Sequence, residues 1–118
     1  MSLISYNKIV NTKTLKIFQD KNGNEPFIDW LESIKDSKTR SRIYTRLDRL
    51  QTGNPGDHHA IESGVFELRL HFGPGYRIYY GEDGDTIVIL LIGGDKKTQS
   101  KDIVKALSFW KNYKESRK

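Results

Sequence analysis

The chain has 118 residues, 36% of them apolar, which suits one domain over residues 1–118 and argues against two domains or disorder. It contains no cysteine, which excludes a disulfide scaffold, a thiol nucleophile and a thiolate zinc site. The net charge of +5 favours a polyanion or an acidic protein partner, although a solvated basic surface without a partner would carry the same charge.

The N-terminus shows no targeting signal. Residues 1–10 lack the unbroken apolar run of a signal peptide, and no stretch approaches the ~18 consecutive apolar residues of a membrane span. We therefore expect a soluble, cytoplasmic protein with no membrane partner.

The first half of the chain predicts a strand followed by a helical hairpin. The segment Leu15-Lys16-Ile17-Phe18 indicates a short, weak strand, and Pro26 suits the first turn of a helix, where its missing N–H group is harmless. The apolar side chains of this helix recur at helical spacing: Phe27, Leu31 and Ile34. Asp36 or Ser37 can cap a second helix that continues to about Leu50.

Two faces of this second helix differ in character. The apolar residues of one face are expected to be buried: Ile43, Leu47 and Leu50. The basic residues lie on a neighbouring face: Lys38, Arg42, Arg46 and Arg49. Such a stripe is more often a solvated surface than a binding site.

The second half of the chain predicts strands and a last helix. After a predicted loop at 58–64, apolar residues alternate along a first strand: Phe66, Leu68, Leu70 and Phe72. A second strand follows at 76–80, and the continuous apolar run at 86–92 indicates a central strand covered on both faces. Thr98 can cap the last helix, whose apolar face consists of Ile103, Ala106, Leu107 and Trp110.

These elements together predict an α+β fold with its core at about residues 14–112. We expect an N-terminal strand and an α-hairpin packed on one face of a twisted antiparallel β-sheet meander, followed by a C-terminal helix. All helices are expected on the same side of the sheet.

Strand alternation predicts a functional face on the opposite side of that sheet. If the apolar residues point at the helices, the intervening side chains share the open face: Glu67, Arg69, His71, Arg77 and Tyr79. Lys96 and Lys97 lie at one end of it. This surface offers guanidinium groups for phosphates, an aromatic ring for a base, and groups able to move protons.

A simpler interpretation competes with this one. One face of an antiparallel sheet is normally polar, and Arg69 beside Glu67 could be an ordinary surface pair. His58 and His59 lie in the predicted loop, and we interpret both as solvent-exposed, because adjacent histidines do not readily face one ligand. The acidic residues are too dispersed for an oxygen-ligand metal site.

Four sets of motifs occur in a characteristic order. Two lie on the first two predicted strands: Gly64-Val65-Phe66-Glu67-Leu68-Arg69 and Gly73-Pro74-Gly75-Tyr76-Arg77-Ile78-Tyr79-Tyr80. A third follows them: Leu91-Ile92-Gly93-Gly94-Asp95-Lys96-Lys97-Thr98-Gln99, then Asp102-Ile103. The upstream set is Trp30-Leu31, Arg42-Ile43, Arg46-Leu47 and Gly53-Asn54-Pro55-Gly56-Asp57. This series, over about 25–112, resembles the RelE/ParE superfamily of bacterial toxins and is most similar to the HigB-like addiction module killer group.

The resemblance implies a type II toxin with RNA bound on the open face of the sheet. Many such toxins are ribosome-dependent endoribonucleases that cut mRNA and use neither metal nor cofactor. The ribose 2′-hydroxyl attacks the adjacent phosphate and leaves a 2′,3′-cyclic phosphate and a free 5′-hydroxyl. The implied partners are mRNA, the ribosome and a cognate antitoxin, a small helix-turn-helix protein encoded next to the toxin.

The resemblance also assigns residues. Arg77 matches the catalytic arginine of the family, and Lys96 falls near a second basic position. The catalytic candidates are Arg77, Arg69, His71, Lys96 and Glu67, and the candidate RNA-binding residues are Tyr79, Lys97, Arg42 and Arg46.

Some positions depart from the family pattern. RelE-type toxins carry lysines where this chain has Val65 and Glu67, and a catalytic tyrosine near the position of Asp102. HigB-type toxins rely on histidine and acidic residues instead, so His71 and Glu67 are the candidates for proton transfer.

Two other functions fit the same fold. ParE-like members inhibit DNA gyrase by binding, without catalysis, and a toxin-derived domain could retain only RNA binding. The predicted cluster of Arg69, His71 and Arg77 favours the nuclease, because a gyrase inhibitor has no need of a phosphate-directed cluster.

Overall fold

The computed structural model of the protein describes residues 12–117. The segment expected to lack a signal peptide, residues 1–10, lies outside them. Within the described part, no helix is both long and apolar enough to cross a membrane.

The predicted α+β fold is confirmed. The elements in chain order are β1 (Thr14–Ile17), α1 (Pro26–Ser33), α2 (Ser37–Gln51), β2 (His58–Glu62), β3 (Val65–Leu70), β4 (Tyr76–Asp83), β5 (Ile87–Asp95), a 3-10 turn (Lys96–Thr98) and α3 (Gln99–Ser116). The predicted caps occur at α1, where Pro26 is the first helical residue, and at α2, where the Asp36 carboxylate accepts a hydrogen bond from the Thr39 N–H at 3.2 Å.

The five strands form one sheet in the order β1-β5-β4-β3-β2. Strands β2 to β5 form the predicted antiparallel meander, and β1 joins its β5 edge as a parallel strand. The α-hairpin therefore carries the chain from one edge of the sheet to the other. Residues 88–94 of β5 are buried, as expected for a strand covered on both faces.

The segment predicted as a loop at 58–64 is instead the edge strand β2 with its hairpin turn. Ser63 and Gly64 turn the chain with positive φ angles of 55° and 90°. The sequence pattern missed this strand because an edge strand has one neighbour and exposes most of its side chains, so apolar alternation is weak.

The helices cover both faces of the sheet, so the expectation that all of them share one side is wrong. Helices α1 and α2 bury one face, with a core that includes Ile43, Leu68, Ile78 and Tyr80. Helix α3 packs on the opposite face over a second core that includes Val65, Tyr79, Ala106 and Trp110. Its amphipathic pattern shows which residues are buried but does not indicate which face of the sheet they meet.

Each helical layer places a tryptophan directly over a glycine of the sheet. A Cβ atom on Gly93 would lie 2.2 Å from the Trp30 ring of α1, and one on Gly81 would lie 2.2 Å from the Trp110 ring of α3. The Trp110 indole N–H also donates to the Ser63 carbonyl at 2.7 Å. Glycine at these two positions lets the indole rings pack against the strand backbone.

Candidate functional site

Four of the side chains predicted to share one face do share it: Glu67 and Arg69 of β3, and Arg77 and Tyr79 of β4. His71 lies one residue beyond β3. The register pairs Glu67 with Tyr79 and Arg69 with Arg77. This face is not open, however, because α3 packs across part of it. Glu67 and Tyr79 are 0% exposed and Arg77 is 8% exposed, so the expected exposure is wrong for these three residues.

Glu67 lies at the centre of a hydrogen-bonded group that we call the Glu67 cluster. Its Oε1 accepts from Nε of Arg69 at 2.7 Å, and its Oε2 accepts from the Tyr79 hydroxyl and from Nε2 of Gln99, both at 2.9 Å. Nε of Arg77 lies 3.6 Å from the same Oε2. The cluster thus joins two arginines of adjacent strands to the first residue of α3.

The Glu67 carboxylate keeps its charge in this environment. Burial alone would raise the pKa of Glu67, but hydrogen bonds from Arg69, Gln99 and Tyr79 outweigh it and lower the pKa below its ordinary value. Burial, with the adjacent Glu67, raises the pKa of Tyr79, so its hydroxyl remains a donor. Glu67 is therefore poorly placed to take a proton from a substrate, and the buried Tyr79 ring is not placed to stack on a base.

The Arg77 guanidinium is hydrogen-bonded on one side and lies near the Glu67 carboxylate on the other. Its Nη1 donates to the Gly75 carbonyl at 2.8 Å, while its buried Nε has no hydrogen-bond partner among residues 12–117. Gly75 has a positive φ of 77°, and a Cβ atom there would lie 3.3 Å from Nη1 of Arg77 and 3.4 Å from Cβ of Lys96. Lys96 therefore borders the same turn, and both Lys96 and Lys97 are exposed.

A second, exposed group lies beside the first, and we call it the Asp57 cluster. His71 Nε2 bonds Oδ2 of Asp57, and His59 Nε2 lies 2.9 Å from Oδ1. The hydrogen bond from His71 is the main reason why the pKa of Asp57 lies below its ordinary value. The Asp57 carbonyl also accepts from the backbone N–H of Arg69 at 3.0 Å, which places the two clusters side by side.

The two candidate arginines of α2 have different environments. Arg46 is not a solvated side chain, because its guanidinium donates to the carbonyls of Arg69, Pro55 and Asp57 at 2.6, 2.9 and 3.1 Å. These hydrogen bonds attach α2 to the backbone of Asp57 and Arg69, which belong to the two clusters. Arg42 remains exposed, and its guanidinium carbon lies 4.9 Å from the centre of the Phe72 ring.

Sequence reasoning missed several members of this site. Asp57 stands at the end of a motif without a predicted strand and His59 falls in the predicted loop, so the sequence gives neither of them a sheet face. Gln99 and Asp102 lie three residues apart at the start of α3, a spacing that places both on one helical face and could have drawn attention to them. Asp102 is 6% exposed and accepts a hydrogen bond from the Thr98 hydroxyl.

This arrangement is suited to binding an anion and moving protons. Arg69 and Arg77 occupy paired positions beside Glu67, Lys96 borders the Gly75 turn next to Arg77, and two imidazoles contact the neighbouring Asp57. Among residues 12–117, no group of three or more His, Cys, Asp or Glu side chains is placed to hold a metal ion.

The fold and these clusters define the class as a small α+β protein whose sheet carries a basic, carboxylate-anchored site beside its C-terminal helix. The family described as "Phage derived protein Gp49-like (DUF891)" matches residues 29–111, a range that contains both clusters. The chain belongs to this Gp49-like family, which is related to the RelE/HigB toxins. A Haemophilus influenzae protein named "Uncharacterized protein" is 46% identical over 80 residues, which cover 68% of this chain and 81% of that protein.

Proposed function

We propose that the chain is the toxin of a type II toxin–antitoxin pair, similar to the HigB-like group, and that it cleaves ribosome-bound mRNA without metal or cofactor. The observation that carries this proposal is the Glu67 cluster, in which one buried carboxylate accepts a hydrogen bond from Arg69 and lies 3.6 Å from Nε of Arg77 on the neighbouring strand. The relation of the Gp49-like family to RelE/HigB toxins supports the same function.

The proposed reaction is attack of the ribose 2′-hydroxyl on the adjacent phosphate. The new O–P bond closes a 2′,3′-cyclic phosphate, and the bond to the 5′-oxygen breaks. The phosphate gains negative charge during the attack, and Arg77 is the group that stabilises it. Because the Gly75 carbonyl already orients the guanidinium beside the Glu67 carboxylate, binding the phosphate costs little side-chain entropy.

The other candidates take supporting parts in this proposal. Arg69 and Lys96 add positive charge beside Arg77, and the exposed His71 transfers a proton. Arg42 and Lys97 are exposed and contact the RNA backbone. Three further residues hold these groups in place without touching RNA: Glu67, Tyr79 and Arg46.

The proposed setting is the bacterial cytoplasm, where ribosomes are the target. A cognate antitoxin, a small helix-turn-helix protein encoded next to the toxin, holds the enzyme inactive. Its acidic side chains would suit a chain with a net charge of +5.

The proposal is tested by expressing the chain alone and together with the product of the adjacent reading frame. We expect growth arrest in the first case and recovery in the second, with primer extension showing new in-frame cuts within translated mRNA. Intact mRNA together with an induced DNA-damage response would instead favour a gyrase-inhibiting toxin. Normal growth with folded protein present would contradict both.

A further inference from the structure

The Asp57 cluster holds two imidazoles, of which the mechanism above uses one. Nε2 of His71 hydrogen-bonds Oδ2 of Asp57, and Nε2 of His59 lies 2.9 Å from Oδ1 of the same carboxylate. Nε2 of each ring therefore faces the carboxylate, which leaves Nδ1 as the nitrogen that can face a substrate. The histidine side chains are 45% and 72% exposed, so both rings are within reach of a bound RNA.

The position of His59 in the sheet directs it to the same face as the arginines. The β2–β3 register pairs His59 with Glu67, and the β3–β4 register pairs Arg69 with Arg77. Side chains of directly paired residues lie on the same face of a sheet. His58, the next residue along β2, belongs to the opposite face, where its ring lies 6.2 Å from that of Phe66.

We propose that His59 and His71 are the acid–base pair of the cleavage reaction, and that Asp57 is a positioning residue for both. This inference rests on the proposed nuclease function. The neutral imidazole takes the 2′-hydroxyl proton at Nδ1 as the new O–P bond forms. The protonated imidazole gives its Nδ1 proton to the 5′-oxygen as the old P–O bond breaks. One ring gains a proton and the other loses one, so the net charge of the pair is unchanged.

The shared carboxylate suits this exchange. An imidazole that donates its Nε2 proton to Asp57 can do so whether or not Nδ1 is protonated, so one geometry serves before and after the reaction. The single negative charge of Asp57 matches the single positive charge that the pair must carry. The charged groups around the cluster are Glu67 and Arg69 from β3 and Arg46 from α2, whose guanidinium donates to the Asp57 carbonyl.

The decisive experiment is single-turnover cleavage of ribosome-bound mRNA between about pH 5 and about pH 9, the range in which histidines change charge. We expect a bell-shaped profile for the wild type. His59→Ala and His71→Ala should each slow cleavage about 10²-fold and should remove opposite limbs of the bell. The matched control is His58→Ala, a neighbouring exposed histidine of the other face, which should cleave as the wild type does.

A separate measurement tests the positioning role of Asp57. In nitrogen-resolved NMR spectra of the imidazoles, the neutral rings of the wild type should carry their proton on Nε2, and Asp57→Asn should mix the tautomers of both rings. A residue that merely supported the fold would leave the tautomers of two exposed histidines unchanged. Unchanged tautomers would therefore remove the role assigned to Asp57.

Other outcomes separate this inference from the function on which it rests. Equal rates for His59→Ala and His58→Ala would overturn the acid–base pair while leaving the nuclease intact, as would loss of the same limb in both the His59 and His71 variants. If His59→Ala does not fold, His59→Gln replaces it. A wild-type protein that leaves ribosome-bound mRNA uncut would refute the nuclease, and the acid–base pair with it.

Discussion

The carboxylates at the centres of the two clusters, Glu67 and Asp57, differ in burial and in the kind of partner they bind. Glu67 is fully buried and accepts hydrogen bonds from groups that stay protonated at neutral pH, whereas the side chain of Asp57 is 37% exposed and binds two imidazoles, whose protonation can change. A buried carboxylate that accepts hydrogen bonds from several donors holds the surrounding side chains in one arrangement. An exposed carboxylate whose partners are imidazoles lets those partners gain or lose a proton. We therefore assign a structural role to Glu67 and proton transfer to the Asp57 cluster.

Removal of each carboxylate in turn should affect stability very differently. Glu67→Ala leaves Arg69 and Arg77 without their buried counter-charge, and we expect the free energy of unfolding to fall by about 3–5 kcal/mol. Asp57→Ala removes an exposed partner and should shift the denaturant midpoint little. Urea unfolding followed by circular dichroism measures the free energy of unfolding of both variants. Equal losses would mean that Glu67 and Asp57 do not differ in their contribution to the fold.

Arg77→Ala should give the next largest effect, on activity. Loss of a donor aimed at the phosphate is expected to slow single-turnover cleavage by about 10²–10³-fold, or roughly 3–4 kcal/mol in the barrier. Arg77→Lys should recover little, because lysine keeps the charge and loses the planar pair of donors. Arg49→Ala, an exposed arginine of α2, is the control. A fast Arg77→Ala enzyme would place the phosphate elsewhere.

Arg46→Ala tests the connection between the two clusters. The substitution leaves the carbonyls of Arg69, Pro55 and Asp57 without their shared donor, and we expect a loss of about 2–3 kcal/mol in the free energy of unfolding. Arg49→Ala again serves as the matched control, with a negligible change expected. If Arg46→Ala weakened only ribosome binding and left stability intact, the guanidinium would be an RNA contact after all.

Acidification should give the smallest of these effects. A carboxylate whose pKa is lowered on folding contributes stability above its ordinary pKa of 4.5, and that contribution is lost as the pH falls through the folded value. The free energy of unfolding should therefore decrease below about pH 4.5 in the wild type. Glu67→Gln, already less stable at neutral pH, should show a shallower decrease over the same interval. Parallel pH curves would mean that Glu67 does not carry this charge.

Much of the fold could be predicted because the spacing of apolar residues shows which side chains of each helix or strand are buried. Pro26 and Asp36 marked the helix starts, and the alternation of Leu68 and Leu70 fixed which side chains of β3 share a face. The edge strand β2 was missed because most of its side chains are exposed, so its sequence lacks the alternation of apolar and polar residues.

The candidate site was only partly predictable for a different reason. The alternation of apolar and polar residues grouped Glu67, Arg69 and Arg77 correctly. The burial of Glu67 and Arg77 depends on the face of the sheet on which α3 packs, and no local sequence pattern encodes this tertiary contact. The same holds for Arg46, whose position within a basic stripe suggested solvent, while its guanidinium binds three carbonyls.

Each helical layer contains one tryptophan that packs on a glycine of the sheet, and its fluorescence can report on that layer. Trp30 and Trp110 are the only tryptophans of the chain, and they lie on opposite faces of the sheet against Gly93 and Gly81. An indole that leaves a packed strand for water changes its fluorescence maximum and its quenching. Two single-tryptophan variants would therefore show whether the α-hairpin and α3 leave the sheet in one step or separately. Separate release of α3 would uncover the Glu67 cluster while the rest of the domain stays folded.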